Sequence, residues 1–180
     1  MILTPALRKA ALTAHVICSV GWVGAVAVFL ALAVAGLTRP EVEVVRAAAL
    51  AMDLTTRLVI VPLSFGSLVT GLISSLGTTW GLVRHYWVVV KLLINLLCSI
   101  ILLVHLGPIA ELASRAAAEI APSHADVGLR TQMVVASGAA LVALLVATVL
   151  SVYKPRGLTR YGWRRQREQR RTASTGDVAS

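Results

Sequence analysis

The stretch WVVVKLLINLLCSIILLVH, residues 87–105, decides the fold. It is nearly as apolar as lipid, yet it holds Lys91, Asn95, Cys98 and His105. As a helix a run of this length rises about 28 Å, close to the ~30 Å hydrocarbon core of a bilayer. A strand would cross in about ten residues and would alternate in polarity. This run does not alternate, so it reads as a membrane-spanning helix.

The rest of the chain agrees. Of its 180 residues 57% are hydrophobic and 14% charged, with a mean hydropathy of +0.81; a soluble domain carries about 25% charged residues. Four blocks reach spanning length, at about 10–37, 58–77, 86–106 and 133–153. Helices satisfy their own backbone groups in lipid, so the expected fold is all-α, a four-helix transmembrane bundle. Residues 1–153 form the membrane domain and 154–180 a basic, partly disordered tail. The first block reads as a span and not as a cleaved leader, because its apolar run is too long and three spans follow.

Charge sets the expected orientation. Arg8 and Lys9 precede span one, and eight Lys or Arg against one Glu fall between Lys154 and Arg171. Short basic flanks stay inside, which puts both termini in the cytoplasm of a multi-pass cell-membrane protein. The tail should press on anionic inner-leaflet lipid at about 1 kcal/mol per basic residue. Nothing in it resembles a nucleic-acid-reading fold, and no nucleic-acid partner is expected. The net-acidic 106–132 loop suits the outside. Residues 39–57 and 109–126 each place apolar side chains on one helical face, as interfacial helices joining two spans would; the former would otherwise lengthen span two. Trp80, Tyr86 and Trp87 ring the turn between spans two and three as an aromatic belt.

Lipid supplies little hydrophobic drive between helices, so small and polar residues must hold the bundle. Span two repeats Ser67, Gly71 and Ser75 every four residues, a close-approach face, and Pro62 predicts a kink. Cys18 and Cys98 both lie inside spans, without a disulfide framework, and are expected as free thiols.

Lys91, Asn95, Cys98, Leu102 and His105 follow spacings of four, three, four and three, one stripe on span three. Facing lipid that stripe would be costly, so it is placed toward the interior. His15, Cys18, Ser19 and Trp22 share a face of span one. Counted from the same membrane surface, His15 and Lys91 lie at similar depth, roughly 7–8 Å in. They are expected to face one internal space on neighbouring helices, where a neutral His15 would accept from Lys91; the alternatives are a His15 capped by a serine or backbone carbonyl and a Lys91 that snorkels to the headgroups. His105 lies roughly 20 Å away, too far to share a metal or haem with His15. His85 belongs to the cytoplasmic turn and His124 to the outer loop. No Cys/His cluster has metal-ligand spacing.

The segments AHVICSVGWVGAVAVFLALAVAGL (14–37) and GLISSLGTTWGLVRHYWVVVKLL (71–93) carry a resemblance. They resemble a family of small, uncharacterised bacterial integral-membrane proteins, its actinobacterial members especially, over about residues 8–155. That likeness implies four helices and no assigned activity. In outline the chain is also similar to compact membrane-bound porphyrinogen oxidases and to copper-resistance-type membrane domains. The oxidase likeness implies a haem or porphyrin site at His15, the Gly21–Trp22 pair and Lys91 after Trp87. The chain departs from a porphyrin pocket in its sparse aromatics, with three Tyr and two Phe.

Three functions follow as expectations. The first is an accessory or structural membrane component, with a membrane-protein partner. The second is a haem- or porphyrin-linked redox protein using His15 and Lys91. The third is a small anion or proton transport component, with His15, Lys91 and Asn95 as relay.

Overall fold

A computed structural model describes residues 4–76, 86–118 and 124–153, without the side chains of residues 124 and 125. The expectations for Trp80, His85, the His124 side chain and the basic tail lie outside the described residues. Every described element is helical: α1 (Pro5–Thr38), α2 (Val42–Thr55), a π-helical turn (Thr56–Ile60), α3 (Val61–Leu76), α4 (Tyr86–Ala117) and α5 (His124–Tyr153). Four of the resulting helical stretches are long and apolar enough to cross a membrane: Pro5–Thr38, Val42–Leu76, Tyr86–Ala117 and Asp126–Tyr153.

The start and stop of each helix follow from local chemistry. Thr4 Oγ1 accepts from the Leu7 amide at 3.4 Å, and Pro5 at the first helical position loses nothing by lacking an N–H. Pro40 disfavours helical geometry at the residue before it, and α1 ends at Thr38. α2 and α3 form one rod joined by the π turn. The turn sits directly ahead of Pro62, whose ring would otherwise clash with the carbonyl four residues back. The bend expected at Pro62 is thus taken up by a widened turn, within which Thr56, fully buried, donates its hydroxyl to Met52 O at 2.7 Å.

Within the two segments expected as interfacial helices, residues 42–55 and 109–117 are helical and continuous with spans. Residues 42–55 extend the second crossing, and α4 passes through Pro108 to reach Ala117. α5 begins nine residues before the apolar block that marks span four. Hydropathy marks only the lipid-facing part of a helix; backbone hydrogen bonding continues past it into water.

α1 packs on α2, α3 and α5, and α4 packs on the same three. α1 and α4 therefore stand at opposite corners of the bundle, and the interior lies between them. The inside is small or polar at many positions: Thr56, Ser64, Ser67, Ser99 and Ser137 are buried, beside Trp22, Phe29, Met52, Ile60 and Met133. The outside is apolar, with Ile17, Val20, Leu58, Val104, Val135 and Val152 more than half exposed. A water-soluble chain would not display so much apolar surface; a chain solvated by lipid would.

The end of the bundle away from the termini is tied by charge. Arg46 Nε donates to Ala116 O at 3.0 Å, satisfying a terminal carbonyl of α4. Arg115 bridges Glu111 at 2.6 Å and Asp126, in the first turn of α5, at 3.2 Å. Arg46→Ala is expected to lower stability by about 1 kcal/mol, the worth of one charge-assisted hydrogen bond at a partly exposed site. Thermal unfolding in detergent reads this, and an unchanged midpoint would show that the cap contributes nothing.

Candidate functional site

The site begins where α1 meets α3. The two helices approach on small residues. A Cβ at Gly66 would sit 2.9 Å from Cys18 Sγ, and one at Gly71 would sit 3.0 Å from His15 Cε1. Glycine at 71 lets the imidazole lie against the α3 backbone. His15 Nδ1 is 3.1 Å from Ser67 O and 3.3 Å from Thr70 Oγ1. A carbonyl only accepts, and the Thr70 hydroxyl donates its one proton to Gly66 O at 2.5 Å. The shared donor is then His15 Nδ1–H, and in the neutral ring Nε2 keeps the lone pair. One helical turn on, Ser19 and Ser67 hydroxyls pair at 2.9 Å.

Across the bundle, Lys91 of α4 donates to the Ser151 hydroxyl of α5. Its ammonium also lies 5.7 Å from the centroid of Trp87, within cation–π range. The expected arrangement differs here. His15 and Lys91 sit on opposite helices, not neighbouring ones, and each is held by a third helix. Ser67 O and Ser151 Oγ are acceptors already in place at the right depth. A helix places such groups by its register, which pairing by depth alone does not take into account.

The two side chains face one space. A cavity of about 240 Å³ between α1, α3, α4 and α5 is lined by His15, Ser19, Trp22, Ser67, Lys91 and Asn95, with Thr148 and Ser151 from α5. A smaller lobe of about 60 Å³ shares His15, Ser67, Lys91 and Asn95 and reaches Gly71 and Trp87. No carboxylate lines either lobe among the described residues.

A further cavity of about 60 Å³ lies toward the other membrane face, lined by Cys98, Leu102 and His105 together with Thr56 and Ser137. The whole α4 stripe thus faces interior space, its first two members in one cavity and its last three in the other. Trp22, 2% exposed, lines both cavities. The His105 ring donates from Nδ1 to Ile101 O at 2.8 Å and accepts from Gln132 Nε2 at 3.3 Å. His15 and His105 therefore belong to separate cavities. Cys98 is buried and Cys18 partly so, and both are free thiols. Among the described residues no group of three His, Cys, Asp or Glu side chains is placed to hold a metal ion.

Sequence reasoning missed Thr148 and Ser151. The signal was available: Leu144, Ala147, Thr148 and Ser151 recur at helical spacing on one face of the fourth span. Ser67 lies on the close-approach face expected of it, and it also faces His15 with its carbonyl and pairs with Ser19 through its hydroxyl.

Comparison with protein-family models found no match, and searches of curated proteins and of solved structures returned no similar chain. Fold and site together define a class: an all-α four-helix bundle of membrane-spanning length with a mostly apolar internal cavity that carries His15, Lys91 and Asn95 and is lined by no carboxylate among the described residues.

Proposed function

We propose that this protein is an accessory component of the cell membrane that holds an anionic group inside its bundle. The observation that carries this reading is the 240 Å³ cavity in which Lys91, His15, Asn95 and four hydroxyls converge without a lining carboxylate among the described residues. Charge and dipoles act strongly where water is scarce, and ionisable residues at such depth mark a functional path more often than a structural one. Lys91 supplies the charge; Asn95, Ser19, Ser67, Thr148 and Ser151 supply neutral hydrogen bonds. Basic flanks support cytoplasmic termini, which would place the cavity in the inner half of the bilayer.

The experiment is a ligand panel against protein purified in detergent, read as thermal unfolding. Inorganic phosphate, acetate, a long-chain carboxylate and a chain-matched alcohol form the panel. An anion that binds should stabilise by about 2.7 kcal/mol at a hundred times its dissociation constant. The uncharged alcohol should not. If no anion shifts a demonstrably folded protein, and Asn95→Leu changes neither unfolding nor growth phenotype, the polar set serves packing alone.

A haem or porphyrin is the second reading. The hydrogen bond from His15 Nδ1 to Ser67 O favours it, since a ligating histidine commonly donates its other ring nitrogen to a carbonyl. His15 Nε2 suits an iron and Lys91 a propionate. The cavity volume suits neither macrocycle, because pockets for drug-sized ligands run to about 300–1,000 Å³ and this one is about 240 Å³. Added haem should therefore give no saturable Soret shift. A shift in wild type that His15→Ala removes would reverse the order of the two readings.

A further inference from the structure

We infer that the cavity is loaded sideways from the bilayer, through the cleft between α1 and α5, and that its ligand is a single-chain amphipath with an anionic head. This rests on the anion-holding reading above and names its substrate class.

The lining is asymmetric. Among the described residues its exposed members come only from α1 and α5: Val16 is 50% exposed, Val20 63% and Val152 73%, with Thr148 exposed beside them. The α3 and α4 members, Ser67, Lys91 and Asn95, are buried or half-buried. Among the described residues the rim is thus three valines with Thr148; Ser67, Lys91 and Asn95 form the wall opposite it, while His15, Ser19 and Ser151 belong to α1 and α5. The smaller lobe behind that wall has no exposed lining residue among those described. On the α1–α5 side a water-soluble anion meets this mainly apolar rim before Lys91. An anionic head on an acyl chain crosses it with the chain still in lipid, where leaving the bilayer costs about 0.8 kcal/mol per methylene.

The chemistry of the far wall selects the head. The Ser151 hydroxyl accepts from Lys91, and a carboxylate or phosphate monoester is a stronger acceptor for the same ammonium. The hydroxyls of Ser19 and Thr148 and the Asn95 amide lie on the same cavity. The volume encloses the head and the first part of a chain; the remainder extends through the α1–α5 cleft into lipid.

Trp22 provides the readout, since it lines the cavity and is 2% exposed, so bulk lipid does not touch it. Full-length protein carrying Trp80→Phe, Trp87→Tyr and Trp163→Phe leaves Trp22 as the only tryptophan. It is reconstituted in phosphatidylcholine vesicles and titrated with a long-chain carboxylate brominated near its head. The expected result is saturable quenching that the unbrominated carboxylate reverses and that Lys91→Met weakens at least tenfold. The matched brominated alcohol should not quench saturably. Val20→Phe, which fills the rim, should weaken the long-chain ligand at least fivefold, with an unchanged unfolding midpoint of the ligand-free protein showing that the fold is intact.

Quenching that the alcohol matches, or that Lys91→Met leaves intact, overturns the inference. Should acetate or phosphate compete as well as the long chain, loading is from water; the inference fails and the anion-holding reading stands. If neither short nor long anion binds the folded protein, both fail.

Discussion

Gly66→Leu is expected to destabilise the bundle by about 3 kcal/mol, the upper part of the usual range for overpacking a tight contact. Even a single Cβ at this position would lie 2.9 Å from Cys18 Sγ and 3.7 Å from Cys18 Cβ. The cysteine side chain has one rotatable bond, and a helix allows it few rotamers. Relief must then come from separating α1 and α3. That separation would also part Ser19 from Ser67 and His15 from Ser67 O, so the cavity wall should loosen with the fold. Gly66→Ala should cost less, about 1 kcal/mol, because alanine regains about 1 kcal/mol of helix propensity over glycine. Cys18→Ala should rescue Gly66→Ala with a coupling of about 1 kcal/mol. Denaturation in mixed micelles of wild type, Gly66→Leu, Gly66→Ala, Cys18→Ala and the Gly66→Ala/Cys18→Ala double variant measures these effects. A Gly66→Leu chain within 0.5 kcal/mol of wild type would mean that α1 and α3 do not meet this closely.

The second large effect concerns Lys91. Replacing it by methionine keeps length and apolar bulk and removes the charge. Hydrogen bonds to charged groups contribute about 1.5–3 kcal/mol, and each 1.4 kcal/mol is tenfold in affinity. Lys91→Met should therefore weaken a bound carboxylate or phosphate roughly 10- to 100-fold. Lys91→Glu should abolish binding, since it places like charge against the ligand. Ser151→Ala should do little, changing affinity less than about threefold, because Ser151 holds the ammonium without carrying charge. Fluorescence titration of the reconstituted protein separates these outcomes. Retention of affinity within twofold in Lys91→Met would remove Lys91 from the site.

Much of this molecule was legible in its sequence, for a physical reason. Lipid requires each crossing to satisfy its own backbone and to be apolar throughout, so each of the four crossings is visible as one continuous run. The α4 stripe was legible on the same basis, since one helix fixes which of its residues share a face. The polar stripes of spans one and three pointed to His15 and Lys91. The cavity places these two residues together without deciding what they hold.

Helix ends were less legible, because α4 and α5 run past their apolar blocks into segments where hydropathy carries no signal. The π turn before Pro62 was also hidden. A kink and a widened turn relieve the same clash, and only the packing of Thr56 and Ile60 into the bundle selects between them.

What the sequence determined by itself is every property confined to one helix: the four runs of spanning length and the residues that share a face on each. What only the tertiary structure decided is every property shared between helices. It set α1 and α4 at opposite corners, gave His15 to Ser67 and Lys91 to Ser151, and left a cavity between them. Periodicity along a chain fixes the face of a helix, while the rotation of each helix about its neighbours comes from close contacts such as Cys18 on Gly66. Those contacts join residues roughly fifty positions apart, and no local pattern encodes them.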